Sequence, residues 1–155
     1  MNHPKLPEPM PLAFAEAESA GQRGEVPIGC VIVDQSGNVM AKAGNRTIEL
    51  MDPTAHAELL AIREAAGKLG SERLSGCDLY VTLEPCAMCA GAIMHARVRR
   101  LVFGARDPKT GACGSVIDLF AEARLNHHTR VTGELLATEC GALLSAFFAA
   151  RRANA

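Results

Sequence analysis

Nothing in this 155-residue chain is long and apolar enough to enter a membrane. Nearly half of its residues are apolar, yet no run approaches the roughly 20 that a bilayer span requires. Met1-Asn2-His3-Pro4 also lacks the charged and apolar regions of a secretory leader, so a cytoplasmic protein without a membrane partner is expected. An excess of one charge is missing too. Sixteen Lys and Arg stand against 17 Asp and Glu, and a net charge of -1 gives no general pull toward nucleic acid. Any such partner must be held by local patches. Repeats, low-complexity tracts and interdomain linkers are absent. The length fits one domain over 1–155, large enough to bury about two thirds of its unfolded surface without staples. Of the six cysteines, Cys30, Cys77, Cys113 and Cys140 sit among apolar or Gly-rich neighbours, as reduced, mostly buried thiols do, which argues against a disulfide framework.

The other two cysteines belong to a motif. His56-Ala57-Glu58 is followed downstream by Pro85-Cys86-Ala87-Met88-Cys89, which supplies three zinc ligands, His56, Cys86 and Cys89, and a carboxylate beside them. A closed structural zinc site has four protein ligands, whereas three leave a position for water and define a catalytic site. Zn2+ held this way acidifies its water to a pKa of about 7. Glu58 is then better placed as a base than as a fourth ligand. It can take the water's proton, pass it to a ring nitrogen and protonate departing ammonia, which is hydrolytic deamination. A lone Cys-x-x-Cys could equally be a redox pair or half of a structural zinc site, and a lone His-x-Glu is close to noise. Each, however, follows a helix start. Asp52-Pro53-Thr54 predicts one with Thr54 as N-cap, and Pro85 opens another with Cys86 and Cys89 at i and i+3 on one face. A helix start also favours thiolates.

The remaining pattern places the motifs. A first helix is predicted over Pro11 to Gln22, a strand over Val26 to Asp34, a turn at 35–38 and a returning strand over Val39 to Gly44. The zinc helix follows from Thr54 to Leu69, then a strand from Cys77 to Leu83, a second zinc helix from Cys86 to Ala96 and a strand from Arg100 to Phe103. A short helix near Ile117 to Ala123, a short strand around Arg130 and Val131, and a last helix from Gly133 to Arg152 complete the chain. Strand, helix, strand implies a parallel pair, with both zinc helices on one face and their N-termini at the carboxyl ends of the strands. Three basic clusters, Arg97 with Arg99 and Arg100, Arg106 with Lys109, and Arg151 with Arg152, read individually as solvated faces.

The combination H-x-E with P-C-x-x-C is a recognised zinc-deaminase signature, a match of pattern and not a derivation. The flanking residues carry the likeness further: Gly24 to Gly29, Gly44-Asn45-Arg46, Asp52 to Glu58, Tyr80 to His95, Val102 to Asp107, Lys109-Thr110-Gly111 and Phe147-Phe148 with Arg151-Arg152. Over roughly 12–152 the chain resembles the bacterial tRNA-specific adenosine deaminases, which convert a wobble adenosine of an arginine tRNA to inosine. The opening Met1 to Met10 matches nothing in that pattern. The resemblance implies a three-layer α/β/α cytidine-deaminase-like fold with a mixed sheet of about five strands, one zinc per chain, a homodimer, and a tRNA anticodon stem-loop as partner. It also implies roles for single residues. Asn45 would bind the edge of the flipped base, Ile28 would pack on it, and the backbone of Glu84 and Pro85 would line the pocket. Asp107 would contact the ribose, and Phe147, Phe148, Arg151 and Arg152 the anticodon loop. Related cytosine and guanine deaminases share the zinc core, so a free-base or nucleoside deaminase is the leading alternative. A non-catalytic zinc module that only binds RNA or a partner subunit is the other.

Overall fold

The protein is described by a computed structural model covering residues 8–154; the rest of the Pro-rich opening lies outside the described residues. Helix α1 (Pro9–Gln22) leads into strands β1 (Gly29–Val33) and β2 (Val39–Gly44). The turn between them is closed by the Asp34 carboxylate, which accepts from the amides of Ser36 and Asn38 at 2.9 Å each. Then come α2 (Ala57–Leu69), β3 (Asp78–Leu83), α3 (Ala87–His95), β4 (Arg100–Ala105), a 3-10 turn (Leu119–Ala121), β5 (Arg130–Thr132) and α4 (Ala137–Ala153).

The five strands form one sheet in the order β2-β1-β3-β4-β5. β1 runs antiparallel to both neighbours, while β3, β4 and β5 are mutually parallel. Four strands therefore end at the same edge, where β1 begins. Alternation along the strands sorts the core into two layers, because successive side chains leave opposite faces. Cys30, Ile32, Leu79, Val81, Leu101 and Phe103 pack with Ala57, Ala61 and Ala65 of α2 and Ile93 of α3. Val31, Val33, Tyr80 and Val102 meet Met10 and Ala13 of α1, and α4 covers β4 beside them. Burying each large aliphatic or aromatic side chain here contributes about 1.5–3 kcal/mol. Alanines on the sheet-facing stripes of α1 and α2 let both helices approach closely. At Gly29 a Cβ would run into the α1 backbone at Ala13 and Ala17, so only glycine fits where the strand starts under the helix.

The architecture is the three-layer α/β/α arrangement expected, with local corrections. Strand β1 starts at Gly29 and not Val26, because Ile28 N–H turns back to the Val26 carbonyl at 2.8 Å. Helix α2 starts at Ala57 with His56 in the N-cap position. Thr54 is no cap: its amide and hydroxyl both donate to Asp52 Oδ1, at 2.8 and 2.7 Å. The short helix predicted from Ile117 shrinks to one 3-10 turn. Helix α4 begins at Ala137 and not Gly133, since Glu134 and Leu136 adopt positive φ of 67° and 56°, which no right-handed helix accommodates.

Candidate active site

The carboxyl edge of β2, β3 and β4 gathers the motifs. His56 lies at the entry to α2, which follows β2, and Cys86 is the N-cap residue of α3, immediately beyond β3. Cys89 follows within the first turn of α3. Neither helix has a side-chain N-cap bond, so their first N–H groups face the site and favour negative charge there. His56 Nδ1 stands 3.7 Å from Cys86 Sγ and 3.4 Å from Cys89 Sγ. A sulfur about 2.3 Å and an imidazole nitrogen about 2.0 Å from one tetrahedral ion stand about 3.5 Å apart, so this spacing fits zinc. All three ligand atoms lie within 4.8 Å of one another, and Glu58 is outside the group.

The charges suit a cation. The Cys86 thiol is lowered to about 4 by hydrogen bonds from Cys89 and then from His56. Cys89 is raised correspondingly by its bond to Cys86 and by burial. His56 is raised, chiefly by its bond to Cys86. Glu58, in the first turn of α2, is 4% exposed, and burial raises its carboxyl above the ordinary range.

Around this group the candidate binding residues fall into distinct settings. Asn45 follows β2 and is buried; its N–H donates to the Ile28 carbonyl at 3.1 Å. Its side-chain amide makes only a 3.4 Å contact to Thr47 Oγ1. The Glu84 amide donates to Ala105 at 2.8 Å, and the Pro85 carbonyl accepts from Ala112 at 2.8 Å. Ile28, Asp107, Phe148 and Arg152 line one open groove of about 640 Å³, with Val26 and Leu83 among its other walls. Asp107 caps its own loop, accepting from the amides of Lys109 and Thr110 at 3.0 and 3.2 Å and from the Thr110 hydroxyl at 2.8 Å. Phe147 and Arg151 point elsewhere. The Arg151 guanidinium lies 4.7 Å over the Phe147 ring and donates to the Gly24 carbonyl at 2.8 Å, while Phe147 borders a cleft with Gly21 and Pro27. That pair fastens α4 to the end of α1.

Two buried glutamates whose side chains the sequence reading gave no role hold the loops flanking the site. Glu25 accepts from the amides of Ile48 and Glu49, the latter at 2.8 Å. The Glu84 side chain, 1% exposed, accepts from the amides of Asp107 at 3.1 Å, Cys113 at 2.9 Å and Ser115 at 3.1 Å, and from the Ser115 hydroxyl. Burial alone would raise its carboxyl, but these four bonds, led by the Ser115 hydroxyl, hold it below the ordinary value. A Cβ at Gly111 would overlap that carboxylate, so the loop can close over Glu84 only with glycine there. In sequence Glu84 stands out only as the neighbour of Pro85, and nothing local shows where its carboxylate turns.

Three ligand atoms spaced for one zinc ion lie at this edge with a buried carboxylate near them, and the fold around them is that of the zinc-dependent deaminases. The family described as the cytidine and deoxycytidylate deaminase zinc-binding region matches residues 5–105. The tRNA-specific adenosine deaminase of Agrobacterium fabrum is 53% identical over 143 residues, covering 92% of this chain and 93% of that protein. A solved structure from a study of A-to-I editing by tRNA:A34 deaminases superposes with a TM-score of 0.84 at 54% identity, over 88% of this chain and 98% of that one. The guanine deaminase of Nitrosomonas europaea superposes at 0.78 with 27% identity, over 96% and 89%. The chain belongs to the tRNA-specific adenosine deaminases, within the cytidine and deoxycytidylate deaminase family.

Proposed function

We propose that this protein deaminates adenosine to inosine at the wobble position of a tRNA anticodon loop, with an arginine tRNA as the substrate. The observation that carries the reading is a buried Glu58 beside the His56, Cys86 and Cys89 group, at the same strand edge as the groove lined by Ile28, Asp107, Phe148 and Arg152. Relatives alike in sequence over nearly the whole chain act on tRNA by name, which favours this substrate over guanine or cytosine.

His56 through Nδ1, Cys86 and Cys89 hold the zinc, which when bound acts as a Lewis acid and makes water a nucleophile at neutral pH. Glu58 takes the proton from the attacking water, delivers it to the ring nitrogen next to the carbon under attack, and returns a proton to the departing amine. Burial suits it to this cycle, because a carboxyl whose pKa is raised above the usual range is a stronger base for the water's proton than an exposed one. The loosely held amide of Asn45 reads the base edge, Ile28 packs on the ring, and the backbone at Glu84 and Pro85 closes the pocket. Asp107 Oδ2, which accepts one hydrogen bond from its own loop, has lone-pair capacity for a ribose hydroxyl. Phe148 and Arg152 meet the flanking nucleotides by stacking and charge. Phe147 and Arg151 serve the same interface indirectly, by fixing α4. The working form is a cytoplasmic homodimer.

Purified protein incubated with an arginine anticodon stem-loop and, separately, with free adenosine, guanine and cytosine tests the reading through inosine formation and ammonia release. Turnover of the stem-loop far above all three is expected, because contacts to the flanking loop position the base. Ammonia release from guanine or cytosine at matching rates would transfer the assignment to a free-base deaminase.

A further inference from the structure

At the opposite edge of the sheet, where β3, β4 and β5 begin, lies a second cavity of about 690 Å³. It is lined by Arg73, Arg97, Arg99, Arg130, His127 and His128, with Ser75 and Gly76 between them. In sequence these residues come from three separate segments, 73–76, 97–99 and 127–130. The fold collects four guanidinium groups around one opening in a chain whose net charge is -1.

Most of this charge has no structural use. Arg99 is engaged, forming a two-pronged bond to Asp78 at 2.9 Å through both nitrogens, and Asp78 also takes Arg100 at 3.5 Å. His127 donates from Nε2 to the Val98 carbonyl at 2.8 Å. Arg97 and Arg130 make no side-chain hydrogen bond or ion pair among the described residues. Arg73 has only a loose 4.0 Å approach to Glu72, with both side chains in water. Arg97 further sits at a positive φ of 61°, just past the end of α3, a conformation that asparagine or glycine would adopt at lower cost. Like charges converging on a concave surface repel, and no carboxylate is spent to balance the unpaired ones. Such a cluster is complementary to closely spaced phosphates.

We propose that this pocket is a second anion site that binds backbone phosphates of RNA, on the far side of the sheet from the zinc group. Strand β3 has six residues, so the two edges lie about 20 Å apart. An anticodon loop docked at the active edge does not reach the pocket, and the phosphates come from the body of the RNA or from a second RNA molecule. Taking RNA as the source rests on the substrate reading above, whereas a site for closely spaced phosphates does not.

The test compares the full protein with an Arg97→Asn, Arg130→Gln variant, which removes two unpaired charges and suits the backbone at residue 97. Binding is measured across a salt series to full-length arginine tRNA, to its isolated anticodon stem-loop and to inorganic tripolyphosphate. For full-length tRNA the variant is expected to bind on the order of tenfold more weakly at low salt, with the slope of log affinity against log salt reduced by about 1.5. Stem-loop turnover should match that of the unaltered protein, which separates this site from the active edge and reports independently on the deaminase reading. Unchanged tRNA affinity and salt slope would overturn the proposal. Loss of tripolyphosphate binding with tRNA binding intact would overturn RNA as the source and leave a site for small polyphosphates. Equal losses for tRNA and stem-loop would overturn the separation of the two sites.

Discussion

Replacing Glu84 tests whether the edge chemistry depends on a carboxylate that never touches substrate. Its two oxygens receive three backbone N–H groups and one hydroxyl from the loop between residues 107 and 115, and the bond to Cys113 N lies wholly inside the protein. In Glu84→Ala that inner donor is left without an acceptor, at a cost of about 1–3 kcal/mol. The donors of Asp107 and Ser115 can recover water in part, so each loses about 0.5–1.5 kcal/mol. Together the loss is about 2.5–7.5 kcal/mol, a large share of the ~5–15 kcal/mol that holds a domain together. Glu84→Gln keeps shape and one acceptor but turns an NH2 toward the amides that met an oxygen, which costs about 2–3 kcal/mol and lowers Tm by roughly 4–12 °C in a domain of this size. Denaturant melts give the free energies, and amide exchange at Cys113 and Ser115 locates the damage. The pH dependence has a definite sign. Because the folded carboxyl is held below the ordinary value of 4.5, its contribution is complete above that pH and is lost as pH falls through the lower, folded value. The Gln variant should lack that part of the acid sensitivity. A change below about 1 kcal/mol in Glu84→Ala, or unchanged exchange at both amides, would refute the anchoring role.

Glu58→Ala should keep one zinc per chain by elemental analysis and lose ~10²-fold to 10⁴-fold in kcat, the usual worth of a positioned acid/base; near-normal turnover would mean that another group carries the proton. In the unaltered enzyme kcat/KM should fall on the acid side at a pH above the ordinary carboxylate range, since burial raises Glu58 and the base must be ionised to act. The C-terminal helix should divide by face. Phe148→Ala with Arg152→Ala should weaken stem-loop binding while leaving Tm nearly unchanged, whereas Phe147→Ala with Arg151→Ala should lower Tm through the lost contacts to α1 and Gly24. Identical effects of the two pairs on Tm and on binding would remove the distinction.

The zinc group was legible in sequence because its chemistry depends on residue type and short spacing, and both survive folding unchanged. The sheet was legible for the same reason: a strongly apolar strand, a polar turn and a returning strand have few alternatives. Boundaries set by single backbone angles were not. Leu136 gives no sign in its side chain that it will adopt a left-handed conformation, and Thr54 looks like a helix cap until Asp52 is seen to take both its donors. Phe147 and Phe148 are adjacent and chemically identical, so only the rotation of α4 against α1 decides which one reaches the groove. The pocket formed by Arg73, Arg97, Arg99 and Arg130 is a sharper case, since three distant segments supply it and each alone looks like an ordinary solvated face.

Strand direction accounts for why these parts meet. With β1 reversed between β2 and β3, the segments before β1 and after β2, β3 and β4 all surface at one edge, and Ile28, Asn45, Cys86 and Asp107 converge there without any long-range signal in the sequence. Chemistry and selectivity then rest on different supports. The ligands and Glu58 sit at the starts of two helices packed on the core, where displacement would break buried alanine and isoleucine contacts. The loops proposed as binding walls are tied down by Glu25 and Glu84, each holding several amides through one carboxylate. Changes in those loops can therefore alter which base is accepted while the zinc geometry stays fixed. The guanine deaminase superposing at 27% identity is consistent with such a division between a shared metal frame and divergent walls.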